Sequence, residues 1–383
     1  MIQARRFVAA LALAASLVWS AGVPSAQLVE TSAAYAILID AQTGAVLLEK
    51  DADQAIPPAS MSKLMTLYML FEKLADGRLA LTDALPVSQK AWRMAGSKMF
   101  VAVNSRVAVE DLIRGIVVQS GNDACVVVAE GLASSEAAFG EEMTRKARQL
   151  GMTNSTLKNA SGWPEEGHLM SVRDLATLAL RLVKDFPQYY GYFGEKDFTY
   201  NNIRQGNRNP LLYKALGADG LKTGHIEESG YGLVASAARG GRRLILVVSG
   251  FRNVNERSRE AERLLEWGFR EFDNYKLFAA NEVVTDADVW LGVAPKVPLQ
   301  IKDELVVTLA KKARRGLKVA VVYDGPLASP VEKGKPVAKL SVTAPDSPSF
   351  EIPLHTAAAV DRLSATGRIS TAVNYLLWGA AAR

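Results

Sequence analysis

Cys125 is the only cysteine, so no intramolecular disulfide can form and the fold must be held by its apolar core. Histidine is nearly as scarce: His168, His225 and His355, with one cysteine, argue against a structural zinc site, and no metal or other cofactor is expected. None of the three sits in a nucleophile or elbow context, so no Ser-His-Asp triad is read. A strong charge of one sign is lacking too. Lys and Arg number 45 against 40 Asp and Glu, and the formal charge of +5 is too weak an excess for a nucleic-acid partner. Internal repeats and low-complexity tracts are absent.

What remains is a chain of 383 residues, 49% apolar, enough for a sizeable core and two or three domains. Residues 1–26 read as a signal peptide: Arg5 and Arg6, an apolar run from Phe7 to Val18, then small residues through Ser20, Ala21, Gly22, Ser25 and Ala26. The run is short for a spanning helix. Its removal takes two arginines and no acid, leaving +3.

Tyr35 to Asp40 and Ala45 to Glu49, joined by Ala41-Gln42-Thr43-Gly44, form a predicted hairpin that begins an antiparallel sheet. Pro57 and Pro58 open a helix predicted over Met61 to Leu74, apolar on nearly all sides and therefore central, ended by Asp76-Gly77. Val107 to Leu212 reads as mainly helical. A second hairpin joins Tyr231–Ala237 to Leu244–Ser249, and a helix laced with Arg and Glu is predicted from Glu256 to Tyr275, closing the first domain. From about Lys276 short alternating stretches between Gly and Pro turns predict a small all-β domain. The tail from Asp361 carries Ile369, Val373, Leu376, Leu377 and Ala380 on one helical face.

Three short motifs carry chemistry. Ser60 and Lys63, spaced i and i+3, share one helix face, and a lysine among Met61, Leu64 and Met65 loses hydration, which lowers its pKa toward that of a usable base. Composition alone yields about one Ser-x-x-Lys in a chain this long, and Ser155–Lys158 is a second match, in a polar stretch. A helix N-cap is the structural alternative for Ser60. Ser120-Gly121-Asn122 lies at a junction between apolar elements and by itself reads as a turn and cap. Lys222-Thr223-Gly224 follows a predicted turn, Gly217-Ala218-Asp219-Gly220, at a strand entrance. Lys222 and Thr223 at a strand edge suit a carboxylate, and Gly224 leaves room for a substrate backbone; an ordinary edge strand with a protective lysine is the alternative.

Together and in this order, the three motifs resemble the set of the penicillin-recognising serine enzymes. The stretches Pro58 to Lys63, Ser120 to Cys125 and Asp219 to His225 are similar to the low-molecular-mass penicillin-binding proteins that act as D-alanyl-D-alanine carboxypeptidases. The resemblance runs from about residue 30 to the C-terminus. It implies an α+β fold: a beta-lactamase/transpeptidase-like catalytic domain, with an antiparallel sheet flanked by helices and a helical subdomain, over residues 27–275; a β-rich domain over 276–358; and an amphipathic helix over 359–383 as a membrane anchor. It further implies Ser60 as nucleophile, Lys63 as general base, Ser120 as proton relay and Asn122 as a hydrogen-bonder to Lys63 and the substrate amide. Lys222, Thr223 and Arg208 would hold the terminal carboxylate, and the backbone N–H groups of Ser60 and His225 would form the oxyanion hole, with Gly224 beside them. The partners so implied are peptidoglycan stem peptides ending in D-Ala-D-Ala, beta-lactams and the periplasmic face of the inner membrane.

Glu165 and Glu166 do not stand in the Glu-x-x-Leu-Asn context of a class A beta-lactamase. A peptidoglycan endopeptidase shares the chemistry, although His225 after Lys-Thr-Gly favours the carboxypeptidase group. A noncatalytic wall-binding protein is the reading from another class, against which the intact motif residues argue. Cys125 reads as a small core residue.

Overall fold

A computed structural model describes residues 29–378, so the signal-peptide expectation and Ala380 lie outside the described residues. β1 (Tyr35–Asp40) and β2 (Val46–Lys50) form the first hairpin. A 3-10 turn, Ala59–Ser62, leads into α1 (Lys63–Ala75), so the helix starts two residues later than predicted. Ala59 adopts φ 50°, and this bend holds Ser60 in a turn instead of at a helix N-cap. α1 is buried along most of its length, from Leu64 to Phe71, and Gly77 at φ 74° ends the run.

β3 (Ala84–Pro86), α2 (Gln89–Arg93), β4 (Arg106–Ala108), α3 (Val109–Val117), α4 (Asn122–Leu132), α5 (Glu136–Gln149) and α6 (Val172–Asp185) follow. They share one core with α1, built on Leu112, Ile116, Val126, Phe139 and Leu178. β5 (Asp197–Tyr200) and β6 (Ile203–Gly206) make a small separate hairpin.

β7 (Ala218–Ile226), β8 (Gly230–Arg239) and β9 (Arg242–Phe251) complete a five-stranded antiparallel sheet of order β2-β1-β9-β8-β7. The predicted turn at 217–220 is already strand from Ala218 onward. Strict alternation fixes the faces: Ile37, Ile39, Val234, Ile245 and Val247 join the α1 core, whereas Leu38, Leu233, Ala235, Leu244 and Leu246 pack with Leu264 and Leu265 of α7 (Val254–Glu271). Burial on both faces explains why β8 and β9 read as continuous apolar runs.

The helix predicted to reach Tyr275 ends at Glu271. Residues from Phe272 form β10 (Phe272–Phe278), so the expected boundary at 275 falls inside a strand. Pairing decides this: Phe272 to Phe278 match register with Ala310 to Leu305 of a later strand. β11 (Val283–Trp290), β12 (Lys296–Gln300), β13 (Leu305–Ala310), β14 (Lys318–Val322), β15 (Leu327–Ala328), β16 (Pro336–Ala344) and β17 (Ser347–Thr356) form an all-β C-terminal domain with its own core around Val297, Leu299, Val307, Leu340 and Leu354. α8 (Ala365–Trp378) follows, with Ile369 66%, Leu376 82% and Leu377 68% exposed, so its apolar stripe is not docked on the β domain.

The two sheets meet through directional bonds. Arg242 donates from Nε to Oδ2 of the buried Asp40 at 2.7 Å and from Nη1 to the Phe272 carbonyl at 2.7 Å. Asn274 donates to Asp40 Oδ1 at 3.2 Å and accepts from Thr308 Oγ1 at 2.8 Å, and Thr308 in turn meets Thr43 at 2.5 Å.

Candidate active site

The 3-10 turn bearing Ser60 lies against β7, at the edge of the sheet. A Cβ on Gly224 would stand 3.0 Å from Met61 Cγ, 3.0 Å from the Pro58 carbonyl oxygen and 3.3 Å from Ala59 Cβ. Gly224 therefore gives room to the Ser60 turn itself, a use of the glycine that the sequence reading assigned to substrate backbone.

Lys63 is fully buried. Its Nζ donates to Ser60 Oγ at 2.8 Å and to the Ser161 carbonyl at 2.5 Å. Burial brings its pKa down to about 8; Cys125 opposes this, the Arg208 charge adds a smaller push in the same direction as burial, and Asp123 opposes least. The lysine can thus be neutral near physiological pH while already bonded to the hydroxyl it would deprotonate. Ser62 donates to the Ala59 carbonyl at 3.0 Å and makes no cap bond. The rival pair is not assembled in this way, because Ser155 gives its hydroxyl to Asp174 at 2.7 Å.

Ser120 sits at φ 58°, buried, and its Oγ has no hydrogen-bond partner among the described residues. It caps nothing, since the residue before α4 is Gly121 with no side-chain cap. Asn122 donates from Nδ2 to the Ala95 carbonyl at 2.8 Å. Next to it Asp123, fully buried, accepts the backbone N–H groups of Met99, Phe100 and Val101 at 2.9, 2.9 and 3.2 Å, fixing the loop that forms this wall. Cys125, one turn further, is buried with its thiol pushed up to about 12, and so stays protonated and inert at neutral pH.

Lys222 is buried on β7 and donates to the Thr223 carbonyl at 3.1 Å. Burial drives its pKa well below the ordinary lysine value, reinforced by the charges of Lys63, Arg208 and Arg257. Arg208 binds Ser97 Oγ at 2.7 Å, and desolvation lowers its pKa. His225 is exposed and stacks on Tyr231 with ring centroids 3.8 Å apart. Asn207 and Asn209 brace the Arg208 segment, with Asn209 donating to the Gly220 carbonyl at 2.9 Å.

Three contributors escaped the sequence reading. Arg257 on α7 is buried, with Nη1 3.4 Å from the Gly232 carbonyl, and adds a third cation to the field on Lys222. Asp123 had only its place inside the Ser120 to Cys125 stretch as a signal. The 159–163 loop supplies the Ser161 carbonyl: Asn159 Oδ1 accepts from the N–H groups of Ser161, Gly162 and Trp163 at 3.2, 2.9 and 3.1 Å. Gly162, at φ 73°, presses against the Ala59 carbonyl, which a Cβ would meet at 1.9 Å. Among the described residues no group of three or more His, Cys, Asp or Glu could hold a metal ion.

A buried lysine bonded to a serine, beside Lys222 on the edge strand β7 and Arg208, defines the class as a serine acyl-transfer enzyme. The family described as D-alanyl-D-alanine carboxypeptidase matches residues 22–253, and the C-terminal domain of penicillin-binding protein 5 matches residues 272–362. The D-alanyl-D-alanine carboxypeptidase DacC of Escherichia coli is 38% identical over 312 residues, 79% of this chain and 78% of the relative. Penicillin-binding protein 5 from Haemophilus influenzae superposes with a TM-score of 0.80 at 33% identity, over 88% of this chain and 100% of the other. Penicillin-binding protein D2 from Listeria monocytogenes in its ampicillin-bound form superposes with a TM-score of 0.57 at 30% identity, over 63% of this chain and 98% of the other. The chain belongs to the D-alanyl-D-alanine carboxypeptidase family. It is a serine-type hydrolase that removes the terminal D-alanine.

Proposed function

We propose that Ser60 trims peptidoglycan stem peptides ending in D-Ala-D-Ala through an acyl-enzyme. Neutral Lys63 takes the Ser60 proton as Oγ forms a bond to the carbonyl carbon between the two D-alanines. The C–N bond then breaks, the proton passes by way of Ser120 to the departing amine, and free D-alanine leaves. Water adds to the ester carbon, giving its proton back through Lys63, and the Oγ–C bond breaks. Lys222, Thr223 and Arg208 take the terminal carboxylate, Asn122 the substrate amide, and the N–H groups of Ser60 and His225 the developing oxyanion. Beta-lactams acylate the same serine.

The Lys63–Ser60 bond at 2.8 Å from a fully buried lysine carries this reading. Its test is D-alanine release from diacetyl-Lys-D-Ala-D-Ala, with Ser60→Ala alongside and benzylpenicillin labelling followed by mass spectrometry. Release that Ser60→Ala abolishes, with the label on Ser60, supports it; a label without release points to an endopeptidase or a wall-binding protein, and no label refutes it.

Residues 1–26 act, in this reading, as a cleaved export signal, the catalytic domain spans 27–271, ending with α7, and the β domain and tail set it at the periplasmic face of the inner membrane. No helix among the described residues is long and apolar enough to cross a membrane. The exposed stripe of Ile369, Val373, Leu376 and Leu377 instead suits a helix lying in the interface. Membrane flotation of a chain ending at Asp361 tests it: unchanged binding refutes the anchor.

A further inference from the structure

Trp163 stands where burial does not explain it. The side chain is 42% exposed, yet its loop is among the most firmly built near the site. Asn159 Oδ1 ties down three consecutive N–H groups, and its Nδ2 donates to the Trp163 carbonyl at 3.0 Å and to Glu165 Oε2 at 2.9 Å. Pro164 confines Trp163 to extended backbone. One asparagine thus fixes the backbone that carries an exposed indole and, two residues away, an exposed carboxylate.

The position of the indole shows what it faces. The point where a Cβ on Gly96 would stand is 2.9 Å from Trp163 Cζ3 and 2.8 Å from Asn122 Nδ2. The ring and the Asn122 amide therefore flank the same small gap, one glycine wide, and the neighbouring Ser161 carbonyl holds Lys63. If Asn122 takes the amide on the acyl side of the scissile bond, the next group to reach the indole is the side chain of the residue preceding D-Ala-D-Ala.

We propose that Trp163 and Glu165 form the subsite for that residue, and that they select a long alkyl side chain ending in a free ammonium group. The methylenes lie on the indole face and the ammonium meets the Glu165 carboxylate. An acetylated or acidic side chain loses the second contact. This inference rests on the carboxypeptidase reading above and names the substrate side chain it takes.

The test uses the full chain and two peptides, Nα-acetyl-Lys-D-Ala-D-Ala with a free ε-ammonium and its Nα,Nε-diacetyl counterpart, followed by D-alanine release. The free-amine peptide is expected to have a kcat/KM about three- to fivefold higher, the range of an exposed ion pair, and the ratio should shrink as salt is raised. Glu165→Gln should bring the ratio to about one, and Glu166→Gln should leave it. Trp163→Ala should lower kcat/KM on both peptides by about tenfold, and Trp163→Phe should restore most of it, because a flat apolar face is retained. A ratio near one in the unaltered chain, or a ratio that survives Glu165→Gln, overturns the subsite. Absence of D-alanine release from either peptide strikes instead at the carboxypeptidase reading. Because the ratio is taken within one preparation, partial misfolding of a variant cancels.

Discussion

If Lys63 is the base, the rate of Ser60 acylation must follow its deprotonation. The ordinary lysine value of 10.5 is lowered to about 8 in the folded chain. That difference is about 3.4 kcal/mol and raises the neutral fraction at pH 7 from roughly 1 in 3000 to roughly 1 in 10. Acylation by benzylpenicillin under single-turnover conditions should climb about tenfold per unit below the bend and level off above about pH 8. Arg208 supplies a like charge that lowers Lys63, so Arg208→Ala should move the bend to higher pH while slowing capture of the carboxylate. Lys63→Ala should abolish acylation at every pH. A rate constant from pH 6 to pH 9, or a bend that Arg208→Ala shifts downward, would refute the assignment.

Gly162→Ala forces a Cβ onto the Ala59 carbonyl at a residue with φ 73°; we expect a loss of about 2 kcal/mol or more in thermal melting, with slower acylation, because Ala59 and Ser60 move together. Asp123→Ala leaves the N–H groups of Met99, Phe100 and Val101 without their acceptor and should lower stability by about 3 kcal/mol or more, with Asp123→Asn milder since one acceptor survives. His168 is buried, and its pKa falls from 6.5 to about 4, burial outweighing the nearby Glu165 carboxylate. The folded chain then binds fewer protons than the unfolded one between these values, so stability drops as pH falls through the window, by about 3 kcal/mol in total. His168→Asn, which keeps an acceptor for the Lys158 N–H, should flatten that loss in urea titrations at pH 7 and pH 4.5.

Local pattern made the sheet legible, because alternation and turn residues act over a few positions: both hairpins of the first sheet appear within a residue or two of where they were read. The end of α7 was not legible. Glu271 to Lys276 continue a helical mixture of charge and apolar residues, and only pairing with a strand more than thirty residues later turns them into β10. Of the candidate site, Ser60, Lys63, Ser120, Asn122 and Lys222 stand out in the sequence because their spacing is short and rare in combination. Arg257 and the Ser161 carbonyl do not. One comes from a helix across the sheet, and the other is a backbone atom whose place depends on Gly162 lying against Ala59.

The junction of the two sheets carries a directional network of Asp40, Arg242, Asn274, Thr308 and Thr43, beside the edge-on contact of Trp267 with Phe272. Apolar faces tolerate sliding, whereas hydrogen bonds lose their strength within a few tens of degrees, so such a joint has one rest orientation. The catalytic groove and the β domain then behave as a single lever: wherever the tail is held, the mouth of the groove keeps its heading, and a force applied at the C-terminus is delivered to the base of β1 and β9.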